Sequence, residues 1–235
     1  MSTMGARERM LGKLRAANAV EASGQSRTEI DRRIAAHYSA APPDQAERVA
    51  AMVRAMTAVR ADVWCASADE WPAQLAAKLV QHGATNLLMD PARPEAAALA
   101  RALPASVAPL AFERPLAEWK NALFAQVDAG FTVARSGIAA TGTLIIAPDH
   151  GTPRSVSLAP PLHVALVYAS TLHADMHAAV KAEHWQGGMP SNLVLASGPS
   201  KTSDIQQTLA YGAHGPRWMW VIIVTDAART EGASA

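Results

Sequence analysis

Cysteine is almost missing from this chain: of 235 residues only Cys65 is one. An internal disulfide is therefore excluded, and so is an iron–sulfur cluster held by four thiolates of this chain. Cys65 lies in the apolar stretch "DVWCAS", where a buried, inert thiol is expected. A dominant charge is also lacking. With 21 basic and 20 acidic side chains, nothing in the balance points to nucleic acid or another polyanion. No run reaches the apolar length of a membrane span. The first residues, "MSTMGARERMLGKLRAA", carry charge without an apolar core, so no signal peptide is read there and a cytoplasmic location is expected. Several fingerprints are missing as well: the G-x-G-x-x-G of dinucleotide folds, the G-x-x-x-x-G-K-[ST] phosphate loop, the G-x-S-x-G elbow and the H-E-x-x-H zinc helix. No cofactor is expected from the sequence.

What is present has a clear rhythm. Residues 1–61 read as a helical extension broken at "ASGQS" and "APPDQ". In "PPDQAERVAAMVRAMTAVR" proline opens the helix, acids sit early and arginine late, as the helix dipole favours. From residue 62 short apolar runs alternate with amphipathic segments. "DVWC", helix 69–82, "TNLLM", helix 94–103, "ASVAPLA" and helix 116–127 follow one another. Strands joined by crossover helices make a parallel sheet. After "GFTVARSG" the helices drop out, and "TGTLIIAP" and "PLHVALVYA" read as neighbouring strands joined by "DHGTPRS". Helix 171–184, strand "SNLVLAS", a short helix from Ser203 and the strand "WMWVIIV" complete the pattern. Residues 226–235 read as a flexible tail.

The chemistry is concentrated in "GPSKTSDIQQTLAYGAHGP". A strand, a small-residue loop and a helix start form an anion site when backbone amides point outward. Gly198 permits close approach, Ser200 and Thr202 add donors, and Lys201 adds a charge. Ser203 with Gln206 fits a capping box, and Asp204 suits the positive end of a helix. The same residues are also what any strand-to-helix turn uses, so a structural role stands beside the ligand role. Gly212 fits a helix C-cap, and His214 sits in a tight turn with Gly215, where the backbone can approach another group. "GIAATGTLII" supplies a second candidate, with the Thr141 and Thr143 hydroxyls flanking Gly142. His173 and His177 are four apart and could share a helix face, but no third ligand accompanies them, so no metal is assigned. His163, inside a strand, reads as packed. No catalytic set can be assembled.

These motifs carry a resemblance. "GPSKTSDI" followed by "GAHGP", with "GIAATGTLII" and "LAPPLHVALV" upstream, resembles the lactate-utilization (LUD domain) family over roughly residues 62–225, most closely its lactate-utilization protein C branch. Two positions depart from the family pattern: Ala140 stands where an acidic residue is usual, and Gln206 where a glutamate is. The resemblance implies an α/β fold, a mostly parallel sheet with helices on both faces, like the sugar-phosphate isomerases and CoA transferases. It implies a non-redox subunit of a system oxidising L-lactate to pyruvate, binding a small anion and iron–sulfur partner subunits. A stand-alone enzyme acting on a phosphorylated sugar or CoA ester is the other reading, though fold likeness says little about chemistry. Because the motifs recur together in the family, Thr141, Lys201 and His214 are expected to line one cleft.

Overall fold

In a computed structural model, residues 5–21, 26–38, 41–203 and 209–226 are described. The chain divides at Pro42–Pro43. The first unit contains helices α1 (Ala6–Glu21) and α2 (Arg27–His37), the latter capped by Ser26, whose side chain accepts from the Glu29 amide. The second opens with α3 (Gln45–Ala58). Asp44 accepts from the Glu47 amide while Glu47 accepts from the Asp44 amide, a reciprocal cap that fixes the helix start. Although its sequence texture groups α3 with the N-terminal helices, Met52 and Met56 are fully buried in the core of this second unit.

From there the chain runs through β1 (Asp62–Ala66), α4 (Trp71–His82), β2 (Asn86–Leu88), α5 (Pro94–Ala102), β3 (Ala108–Leu110), α6 (Leu116–Gln126) and β4 (Ala129–Val133). It continues with β5 (Ser136–Ile138), β6 (Thr143–Ile146), α7 (Arg154–Leu158), β7 (Leu162–Tyr168), β8 (Leu172–His173) and α8 (Met176–Ala182). The last elements are β9 (Val194–Ala196), β10 (Lys201–Ser203), β11 (Leu209–Tyr211) and β12 (Trp218–Val224). Six strands form an all-parallel sheet in the order β1-β12-β7-β4-β2-β3. The expected α/β architecture with a mostly parallel sheet is therefore present. Residues 227–235, read above as a tail, lie outside the described residues.

The central strands show why such a sheet reads as unbroken apolar text. All seven residues of β7 are buried, and β12 is buried from Met219 onward. Alternate side chains go to opposite faces. Val164, Leu166 and Ile222 join Leu75, Leu79 and Phe131 in one core, while Ala165, Val167, Val221 and Ile223 join Met52, Met56 and Leu144 in the other.

One expected pairing is overturned. β6 and β7 are not neighbours, because β6 belongs to a separate four-stranded sheet of order β8-β5-β6-β9. The connection "DHGTPRS" is no hairpin: it leads into α7, which packs across β4, so the chain re-enters the main sheet as a parallel crossover. An apolar strand buried on both faces does not advertise its partner, and the local pattern could not separate the two arrangements.

Cys65 is also not where its apolar neighbours suggested. It is exposed on the edge strand β1. Partial burial of the sulfur still pushes its thiol pKa up, so at neutral pH it remains a protonated, weak nucleophile.

At the carboxyl end of β7, the Tyr168 hydroxyl donates to Glu95 Oε1 at 2.9 Å, both residues being buried. Tyr168→Phe keeps the ring and strips a buried carboxyl of its donor. A loss of about 1–3 kcal/mol in a urea titration is expected, as for a buried polar group left without its partner. An unchanged midpoint would show that Glu95 finds another donor.

Candidate functional site

Ser200 is the joint of the site. After β9 the chain turns through Gly198, whose φ of +142° and whose contact with Val59 both exclude a side chain: a Cβ would lie 2.7 Å from Val59 Cγ2. The Ser200 amide then donates to the Pro216 carbonyl at 2.8 Å. Its carbonyl accepts from the Gly212 amide at 2.9 Å, and its Oγ accepts from the His214 amide at 3.3 Å. The "GPSKT" and "GAHGP" segments are thus stitched together, although simple parallel connectivity would have set them at opposite ends of the sheet.

The reason is a correction to the local structure. Ser203 and Leu209–Tyr211, expected as the two ends of one helix, are both strand. β10 and β11 form an antiparallel ribbon with Lys201 opposite Tyr211 and Ser203 opposite Leu209, which carries the chain back to its starting point. Asp204 and Gln206, which were to complete the helix start, lie outside the described residues. Lys201 is exposed and Thr202 half-buried on the ribbon. Gly212 does adopt the left-handed conformation, at φ +81°, but it ends a strand rather than a helix.

The Thr-Gly-Thr turn lies against α3. Gly142 has φ +60°, and a Cβ there would come within 2.8 Å of Ala55 Cβ and 2.9 Å of the Met56 amide nitrogen. Thr141 and Thr143 share a hydroxyl hydrogen bond of 2.7 Å, and Thr143 bonds Ser197 Oγ at 2.7 Å. This hydroxyl chain ties the turn to the residue before Gly198. The neighbouring Ala140 lines a hollow of about 470 Å³ that also holds Glu47 and Arg54. The histidine pair is split: His173 lies on β8 and His177 on α8. Asp175 caps α8 by accepting from the Ala178 amide at 2.8 Å, so the helix begins between the two imidazoles. Among the described residues, no three His, Cys, Asp or Glu side chains are placed to hold a metal.

A groove of about 880 Å³ borders the stitched turns. Gly212, Ala213, His214 and Gly215 form one wall, and Arg154, Ser155 and Leu158 of α7 another. Phe112 together with Leu116 and Phe124 of α6 supplies an apolar side, and Asn192 an amide. Neither Thr141 nor Lys201 contributes to it. Asp149, on its rim, is clasped by Arg93 and accepts from the Thr152 amide at 2.7 Å and the Thr152 hydroxyl at 2.8 Å. Partial burial pushes the Asp149 pKa up, but Thr152 and Arg93 outweigh it and hold the carboxyl below its usual range. At neutral pH the rim carboxylate is therefore ionised and already partnered. Sequence reasoning missed Arg154, Asn192, Phe112 and Phe124. The polar tract "DHGTPRS" was the available signal, since its length and its proline foreshadowed more than a turn.

Comparison with known proteins agrees with the resemblance in the motifs. The LUD domain profile matches residues 49–224. An uncharacterized protein of Neisseria meningitidis serogroup B is 37% identical over 94% of each chain. Lactate utilization protein C of Halalkalibacterium halodurans is 35% identical over 43% of this chain and 46% of that protein. The same-named protein of Shouchella clausii is 36% identical over 42% and 44%. The chain thus matches less than half the length of these two. A crystal structure of a DUF162 family protein from Deinococcus radiodurans superposes with a TM-score of 0.57 at 25% identity, covering 78% of this chain and 99% of that one.

Proposed function

The chain belongs to the LUD domain family, and on that premise we propose that it serves lactate utilization as a subunit with no redox centre of its own. In this reading iron–sulfur partner subunits take the two electrons that leave L-lactate on its way to pyruvate, and this chain contributes binding and positioning. The observation that carries it is the identity of about a third to proteins named lactate utilization protein C. The single cysteine agrees, because a cluster needs more thiolates than this chain has. The groove beside His214 agrees as well, offering Arg154, Ser155 and Asn192 to an anion.

The test is genetic and biochemical together. A strain lacking the chain is expected to lose growth on L-lactate as sole carbon source, and the tagged protein from lactate-grown cells is expected to bring down partners with iron–sulfur absorbance. Normal growth of the deletion strain on L-lactate overturns the reading.

A further inference from the structure

We infer that the groove between α6, α7 and the 212–215 turn takes an organic anion with an apolar body much larger than that of lactate. This rests on the groove being the ligand site. Size comes first. Lactate has six non-hydrogen atoms, and at the roughly 30 Å³ each that a water molecule occupies in the liquid they displace at most about 180 Å³. The groove holds about 880 Å³, which lies in the range of sites for drug-sized molecules. Lactate alone would leave most of it to water.

Polarity comes second, because the walls are divided. Phe124 is 59% exposed, Leu158 42% and Leu116 40%, and all three line this groove. Large apolar side chains that cluster in a concave wall rather than scattering mark a binding surface. Each would lose water-exposed area under a ligand at about 25 cal/mol per Å². Against them stands Arg154, exposed, with no ion pair to any described residue. Asp149, the acid on the rim, is engaged by Arg93 and Thr152 and so does not compete for Arg154. A guanidinium with free donors suits a carboxylate or phosphate, and Ser155 and Asn192 supply further polar contacts. The ligand class that satisfies both walls has an anionic end at Arg154 and an apolar body along Phe124 and Leu158. L-lactate and inorganic phosphate meet only the first demand.

The experiment uses the intact chain and four probes in calorimetric titrations: 2-naphthoate, the uncharged 2-naphthalenemethanol, L-lactate, and 2-naphthyl phosphate, the last to separate a carboxylate from a phosphate preference. One 2-naphthoate per chain is expected, at least tenfold tighter than either the alcohol or L-lactate. Arg154→Gln is expected to weaken naphthoate about tenfold and to leave the alcohol unchanged. Phe124→Ser is expected to weaken both. Both side chains are surface-exposed, and thermal melts of the two variants are expected to match the parent. Absent saturable binding, L-lactate binding as tightly as naphthoate, or Arg154→Gln binding naphthoate like the parent would each overturn the inference. These outcomes are independent of the growth test: a deletion strain that grows on L-lactate removes the metabolic reading and leaves the ligand class standing, while lost naphthoate binding does the reverse.

Discussion

Gly130→Ala is expected to cost about 3 kcal/mol or more, at the top of the range for overpacking a core. Gly130 lies in β4, in the middle of the parallel sheet, and is buried. A Cβ there would lie 2.0 Å from the Val156 carbonyl oxygen, 3.0 Å from its carbonyl carbon and 3.3 Å from Pro160 Cγ. The first two are backbone atoms of α7, a short helix pinned at its far end by Pro160 and Pro161. They cannot swing aside as a side chain would. Either α7 lifts off the sheet, exposing the fully buried Val156, or β4 bows away from β7. A urea titration reads the loss directly. Because α7 also carries Arg154, Ser155 and Leu158 into the groove, any variant that does fold is expected to bind groove ligands more weakly. Parental stability in Gly130→Ala would mean that α7 is loosely held and that the groove wall is not fixed.

The second large effect is a loss of stability in acid carried by His163, which is expected to reach about 3 kcal/mol. His163 stands beside Gly130 in register, between β4 and β12, and is 2% exposed. Its Nε2 lies 2.8 Å from Thr132 Oγ1. Burial lowers its pKa from 6.5 to about 4, because a charged imidazole would have to give up its hydration. The unfolded chain therefore takes up a proton near pH 6.5, and the folded chain does so only near pH 4. Between those values the unfolded state binds more protons, so stability is whole above about pH 6.5, falls as the pH drops, and has lost the full amount below about pH 4. That interval corresponds to about 3 kcal/mol. Carboxylates add their own slopes, so the measurement is a difference: urea midpoints of the parent and His163→Gln from pH 7.5 to 4. Glutamine can still bond Thr132 but does not titrate. The variant is expected to lose less stability on acidification, and two parallel profiles would show that His163 does not carry the effect.

These two residues also show how much could be read in advance. A histidine inside an apolar strand reads as packed, and so it is. The glycine two residues before Thr132 gave no hint of its role, because nothing near it in sequence touches it. The alternation of apolar runs and amphipathic segments from residue 62 to 127 determined a parallel α/β sheet, since only crossover connections join strands that way. The Thr-Gly-Thr segment was legible as a turn entering a strand, and Gly142 does take the left-handed conformation that such a turn needs.

Beyond that point tertiary contacts decided. Strand β6 could have paired with β7 on pattern alone, yet it pairs with β5 and β9, while α7 packs closely over Gly130 of β4. Ser203 and Leu209–Tyr211 were expected in one helix, yet they pair as β10 and β11, and Ser200 meets Gly212, His214 and Pro216 at the foot of that ribbon. The groove is the clearest case. Its walls come from residues 112–124, 148–159, 191–192 and 212–215, four segments with no shared motif. Local sequence fixes periodicity, capping and turns through neighbours a few residues away. Which distant segments meet is set by the burial of matching faces across the whole chain, and in this protein the groove walls were built at that level.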